Sequence, residues 1–116
     1  MEDGSAQVLV AREVLDAFPF LAMIINEDYE VVVANTWLAK NFDEPVGGCP
    51  FACYEAVYGA DEPRLDCPLA ESIRTNAPVE RELIVCEGCA LQIGIYPLLV
   101  GDPRGRKLFL DLMKSV

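Results

Sequence analysis

Residues 47–80 carry the part of the sequence that decides the fold. They begin Gly-Gly-Cys-Pro-Phe-Ala-Cys-Tyr-Glu at 47–55, pass through Cys67-Pro68-Leu69, and end Ala-Pro-Val-Glu at 77–80. Proline is tolerated in the first turn of a helix, where its missing N–H would have no partner anyway. The segment therefore predicts a short helix that ends before Pro78 and leads directly into two β-patterned runs, 79–86 and 90–100.

The rest of the chain supplies three more strands around this segment. Apolar and β-branched runs predict these three strands at 20–25, 30–34 and 107–113. Together with 79–86 and 90–100 they make five. Turn residues between them, at 26–29, 86–89 and 101–105, predict hairpins. Helical patterns or turns are predicted at 6–17, 36–41, 50–58 and 66–76. Two strands, several short helices and then three strands indicate an α+β fold with an antiparallel sheet.

Composition restricts the function classes. The chain has 116 residues, 53% of them apolar, which is enough for one domain with a genuine core. Its net charge of −10 disfavours nucleic acid and anionic lipid as partners. No apolar run reaches the roughly 18–20 residues of a membrane span. The acidic N-terminus and the odd number of cysteines, five, favour a cytoplasmic protein over a secreted one.

Catalysis is disfavoured by the absence of histidine. Histidine is the commonest general base and a frequent metal ligand, and the sequence contains none. No nucleophile stands beside a base in a recognisable motif. We therefore expect a protein that is not itself an enzyme.

The cysteines are the one constellation with possible metal or redox chemistry: Cys49, Cys53, Cys67, Cys86 and Cys89. Thiolates bind zinc and iron–sulfur clusters, but no matching second Cys-x2-Cys accompanies residues 86–89. Free cysteines are also common small core residues. The sequence favours that interpretation and no bound cofactor, and it leaves zinc, an iron–sulfur cluster and thiol redox sensing as alternatives.

The order of these features resembles a PAS domain, the sensory and dimerisation module of bacterial signalling proteins. The resemblance covers roughly residues 14–114, and it rests on Asn35, on Gly47 and Gly48 before Cys49, on the Cys67-Pro68-Leu69 helix start and on Tyr96-Pro97-Leu98. It implies a five-stranded antiparallel sheet in the order 2-1-5-4-3, with short helices over one face. Residues 1–18 would form an N-terminal flanking helix and residues 19–116 the sensory domain.

The resemblance also implies candidate sites. A pocket between the sheet and the helices would be lined by Ile25, Val33, Trp37, Phe42, Phe51, Tyr54, Ile73, Ile95 and Leu110. A homodimer would form through the apolar side chains of the first helix and its end: Val8, Leu9, Ala11, Leu15 and Phe18. A subgroup of PAS domains carries extra His and Cys ligands at positions that are Tyr58 and Arg64 here. The alternatives are a pocket closed by packing and a helix that simply covers its own sheet.

The function implied is sensing of a small molecule, or dimerisation and signal relay, with a downstream signalling domain in cis or trans. The resemblance also implies that the chain could be a fragment of a larger signalling enzyme such as a histidine kinase. The alternative is a metal, iron–sulfur or redox sensor on the same fold that uses the cysteines.

Overall fold

The structure is a computed structural model that describes residues 11–37, 51–52, 62, 66–86 and 88–115. Helix α1 covers residues 11–16 of this part of the chain, and helix α2 covers Pro68–Thr75. The strands are β1 (Leu21–Asn26), β2 (Glu30–Ala34), β3 (Phe51–Ala52), β4 (Val79–Cys86), β5 (Cys89–Gly101) and β6 (Lys107–Ser115).

All these strands form one antiparallel sheet in the order β3-β2-β1-β6-β5-β4. Numbered among themselves, the five longer strands have the order 2-1-5-4-3, so the predicted architecture is confirmed. Strands β1 and β6 occupy the middle of the sheet, where Leu21 pairs with Met113 and Asn26 with Leu108.

Strand β3 was not predicted. The pattern at 50–58 predicted a helical turn, which is wrong for Phe51–Ala52, because their backbone pairs with Val31 and Glu30 of β2. A two-residue strand forms because β2 offers it an edge, and that long-range contact leaves no local periodicity in the sequence. The remainder of 53–58 lies outside the described residues.

Each face of the sheet buries its own apolar cluster. The face under α2 holds the larger one: Leu21, Met23, Ile25, Val31, Ala34, Leu69, Leu83, Leu91, Ile93, Ile95, Phe109 and Met113. The face under α1 holds the smaller one, formed by Leu15, Ala22 and Val33, against which Ala11, Phe18, Ile24, Leu110 and Leu112 pack. This division follows from the pleat, because successive residues of a strand point to opposite faces.

A β-bulge between β1 and β2 changes which side chains of β2 face α2. Ile24 pairs with Val33, whereas the next residue, Ile25, pairs with Val31, so that Val32 is the extra residue. Val31 consequently packs on the α2 side, and Val33 packs on the α1 side.

Asn35 ties α1 to the sheet and is only 1% exposed. Its Nδ2 donates to the carbonyl oxygens of Leu15 and Phe20, each at 2.8 Å. Its Oδ1 accepts from the backbone N–H of Ala22 at 3.2 Å and of Trp37 at 3.3 Å. The bond to Trp37 is of the kind that caps a helix start.

Candidate functional site

Helix α2 lies over the sheet and makes defined polar contacts at both of its ends. Pro68 occupies its first turn, and Asn76 ends it in the left-handed conformation, with φ of 54°. The Ser72 hydroxyl donates to the carbonyl oxygen of Ala77 at 2.8 Å. Arg81 of β4 pairs with the carboxylate of Glu71 on the helix. Of these contacts, the ion pair joins α2 to β4, whereas the Ser72 bond closes the C-terminal end of the helix.

A small cavity lies between the start of α2 and the centre of the sheet. Its lining consists of Cys67, Pro68, Leu69, Ile93, Ile95, Asp111 and Met113. The volume is about 10 Å³, which is about the room that a single water molecule needs. Most of the wall is apolar, and the carboxyl of Asp111 is its one acidic group among the described residues.

Asp111 is the most unusual side chain of this site. It is 2% exposed, lies in β6, and is paired across the sheet with Met23 and Ile95. Its Oδ1 has no hydrogen-bond partner in the described part of the molecule. Burial away from water raises the pKa of the Asp111 carboxyl to about 8, because the charged form loses its hydration. The carboxyl is therefore protonated at neutral pH unless a positive group or hydrogen-bond donor reaches it.

Cys67 stands beside Asp111 at the N-terminal end of α2. Burial raises the pKa of the Cys67 thiol, against the opposing effect of the Ala70 and Leu69 backbone N–H groups, and the charges of Asp111 and Asp66 raise it further. The thiolate is the reactive form of cysteine, so this environment suppresses nucleophilic and redox chemistry. Cys67 behaves as a wall of the cavity rather than as a reactive centre.

The predicted pocket residues divide into three groups. Ile25 and Ile95 are buried in the α2-side cluster, and Trp37 and Ile73 pack against it. Val33 and Leu110 belong to the opposite face and do not join them. For Val33 the cause is the bulge at Val32, and for Leu110 it is the strand alternation that sends Phe109 and Asp111 to the α2 side. Phe42, Tyr54 and the side chain of Phe51 lie outside the described residues.

The remaining cysteines are only partly described. Cys86 and Cys89 are Cα partners where β4 turns into β5, and their side chains are outside the described residues. Cys49 and Cys53 lie wholly outside them. Within the described ranges, no three His, Cys, Asp or Glu side chains gather as a metal site would require. The proposed cysteine centre thus stays a sequence-based prediction.

The dimer candidates on the first helix lie mostly against the chain's own sheet. Leu15 is buried with Ala22 and Val33, and Ala11 and Phe18 pack half-buried against the same cluster. Val8 and Leu9 are outside the described residues. Leu15 is consequently not available to a partner while α1 stays on the sheet.

A second concave region is an open groove on the α1 side of β4, β5 and β6. It has a volume of about 490 Å³ and contains Phe20, Glu80, Gln92, Gly94, Tyr96, Leu112, Lys114 and Ser115. The Tyr96 hydroxyl donates to the Glu80 carboxylate, and that bond raises the pKa of Tyr96. The tyrosine ring lies so close to Gly94 that a Cβ there would be 2.5 Å from the hydroxyl oxygen. Gly94 therefore allows the ring to lie flat along the strand.

Sequence reasoning did not single out Asp111, although a signal for it was present. Phe109, Asp111 and Met113 alternate with Leu108, Leu110 and Leu112 in a predicted strand. A carboxylate at the core-facing parity of such a strand is rare, because an unpaired buried charge is costly. Its position alone could have marked it as a functional candidate.

Among the described residues, no helix is long and apolar enough to cross a membrane. Comparison by sequence finds no matching family model and no matching curated protein. Solved structures do match. A sensory box sensor histidine kinase from Vibrio cholerae has a TM-score of 0.59 at 15% identity, covering 97% of this chain and 91% of that one. The structure of a single-residue variant of RsLOV has a TM-score of 0.62 at 14% identity, covering 100% of this chain and 70% of that one. The chain therefore has the PAS, or sensory box, fold.

Proposed function

We propose that this chain is a non-catalytic sensory module of a cytoplasmic bacterial signalling protein, which binds a small molecule between α2 and the sheet. The observation that carries the proposal is Asp111, a buried carboxyl in the middle of the core that has no internal partner for its Oδ1 among the described residues. Unsatisfied buried polar groups are costly, and they concentrate where a ligand completes them. A residue serving only the core would be apolar at this position.

The location of Asp111 supports a relay role as well. Asp111 lies in β6, a central strand that pairs with β1 on one side and β5 on the other. A ligand that displaces α2 or the side chains around Asp111 acts on three adjacent strands at once. The downstream signalling domain, in cis or in trans, would receive this displacement.

Homodimerisation belongs to the proposal through the first-helix candidates other than the buried Leu15. Leu9 and Ala11 are the apolar residues we expect at the contact, with Val8 and Phe18 beside them, and a two-fold pair would cover the same surface on both subunits. Sedimentation equilibrium of the chain and of Leu9→Glu tests this. Dissociation by the substitution supports the contact, whereas an unchanged mass contradicts it.

Two buried leucines on opposite faces give a matched test of the binding site. Leu69 is 1% exposed under α2 and Leu15 is 3% exposed under α1, so Leu69→Ala and Leu15→Ala should each destabilise the protein by about 2–5 kcal/mol. Only Leu69→Ala enlarges the space between α2 and the sheet, where we propose that the ligand binds. The measurement is the melting temperature of each protein with and without the small-molecule fraction of a bacterial extract.

The proposal requires an extract-dependent rise in the melting temperature. A ligand at a hundred times its Kd contributes about 2.7 kcal/mol, equivalent to a rise of about 10 °C for a domain of this size. We expect Leu69→Ala to change that rise and Leu15→Ala to preserve it. The proposal fails if no fraction shifts the wild-type protein, or if both leucine variants alter the response equally.

A further inference from the structure

We infer that the cavity beneath α2 binds a small primary amine in its ammonium form, with the carboxylate of Asp111 as its counter-ion. This inference rests on the proposed function, since it names the ligand class of the same site. Three properties of the surroundings lead to it: the absence of a free cation among the described neighbours of Asp111, the apolar wall and the charge of the whole chain.

No described cation is available to neutralise Asp111 from within. On β1 and β5 its neighbours are Met23 and Ile95, and the start of α2 presents the neutral thiol of Cys67. Arg81 of β4 also lies on the α2 side of the sheet, but its guanidinium is already bonded to Glu71 and to the carbonyl oxygen of Asp66. Among the described residues nothing neutralises the carboxylate, so with these neighbours the carboxyl keeps its proton or takes a positive partner from solution.

The wall of the cavity selects among possible cations. A hard metal ion such as calcium needs six to eight oxygen ligands, and the described lining contributes a single carboxylate. Leu69, Ile93 and Ile95 offer apolar surface instead, which suits an alkyl chain attached to a charged head group. An organic ammonium ion combines both requirements.

The charge of the chain favours the same class of ligand. With a net charge of −10, the protein attracts cations and repels carboxylates and phosphates before they reach the cavity. A neutral ligand would gain nothing from this field. The charge and the carboxyl therefore act in the same direction.

Binding exchanges one proton for the ligand. Without ligand, Asp111 is a neutral carboxylic acid, consistent with its pKa of about 8. When the ammonium ion arrives, the carboxyl releases its proton to solvent and keeps the electron pair as a carboxylate, while the ligand retains its three N–H bonds. At pH 7 the release should be about one proton per ligand bound.

The size of the cavity connects binding to movement. At about 10 Å³ it admits an ammonium head group, and an attached alkyl chain needs Leu69 and the start of α2 to move away from the sheet. Longer alkylamines should bind more tightly, because each buried methylene adds affinity, and they should displace α2 further.

The experiment titrates the protein with n-propylammonium chloride at pH 7 in a calorimeter, using two buffers of different ionisation enthalpy. Isosteric n-propanol and potassium chloride at equal ionic strength are the comparison ligands. Asp111→Asn removes the counter-ion, and Glu82→Gln removes the same charge from an exposed position on β4. We expect binding with proton release by wild type and Glu82→Gln, and at least a tenfold loss of affinity in Asp111→Asn.

Three results would overturn the inference. Equal binding of n-propanol would mean that charge is not recognised, and unchanged affinity in Asp111→Asn would mean that the carboxyl is not the counter-ion. Binding of n-propylammonium by wild type without proton release would also overturn the inference, and this result does not depend on how the variant folds. If instead a neutral compound binds in an Asp111-dependent manner, the amine is wrong while the sensory site stands.

Discussion

Replacement of Asp111 by asparagine should stabilise the protein in a strongly pH-dependent manner. The carboxyl is buried with Oδ1 unsatisfied, and its pKa in the folded chain is raised from 3.8 to about 8 by loss of hydration. The folded state therefore binds a proton that the unfolded state has released between these two pH values. Stability is greatest below the unfolded pKa and falls as pH rises towards 8.

The size of the effect follows from the distance between the two pKa values. From the unfolded pKa of 3.8 up to pH 7 the folded carboxyl stays protonated, an interval of about three pH units. At 1.36 kcal/mol for each of them, the wild-type carboxyl costs about 4 kcal/mol at pH 7 relative to low pH. Asparagine does not ionise, so the free energy of unfolding of the variant does not decrease for this reason as the pH rises. We expect the two proteins to be similar near pH 4, and Asp111→Asn to be the more stable by several kcal/mol near pH 8.

Urea unfolding between pH 4 and 8.5 measures this difference. Subtracting the free energy of unfolding of wild type from that of the variant cancels the contributions of the other acidic groups. Glu82→Gln, which removes a carboxylate from an exposed position on β4, serves as the control for loss of a charge. A flat difference for Asp111→Asn would refute the argument, because it would mean that the carboxyl is ionised and solvated in the folded state.

Three further substitutions test the architecture around the site. Asn35→Ala should cost about 3 kcal/mol in urea unfolding, because it leaves buried carbonyl oxygens without a donor; a cost below about 1 kcal/mol would contradict that account. Gly94→Ala should destabilise wild type by pushing the Tyr96 ring off the strand and away from Glu80. In a Tyr96→Ala background the same change should be nearly neutral, so a double-mutant cycle should give a coupling of about 1 kcal/mol, and additive effects would argue against the contact. Asn76→Gly should stabilise α2 by easing its left-handed C-cap, detected as a higher melting temperature; a lower one would mean that the asparagine side chain holds the cap.

The sequence was sufficient for the strands and their hairpins because these depend on local patterns. Val79, Arg81 and Leu83 alternate with Glu80, Glu82 and Ile84, and the structure sends the first set under α2 and the second to solvent or the groove. Turn residues at 26–29 and 101–105 likewise determine where β2 and β6 begin. The order of strands came from the likeness to a known fold, since alternation alone does not specify which strands become neighbours.

The candidate site was less accessible to sequence reasoning, because it depends on which way each side chain points. Residues 30–34 are a β-branched apolar run that does not show which side chains share a face, and the bulge at Val32 places Val33 on the α1 side, away from the pocket. The resemblance implied Leu110 as a pocket residue, but its neighbour Asp111 holds the position that faces α2. In a sheet with both faces buried, hydrophobicity shows which residues form strands, but it does not show which face of the sheet each side chain occupies.

The pairing of Leu21 with Met113 brings the two ends of the sheet's central pair together. The start of β1 and the end of β6 therefore lie on adjacent strands, about 5 Å apart, at the same end of the sheet. A unit with neighbouring entry and exit points can be inserted into a surface loop of another domain without forcing that domain apart. Any slip of β6 against β1 would therefore change the distance between the residues just before β1 and those at the end of β6.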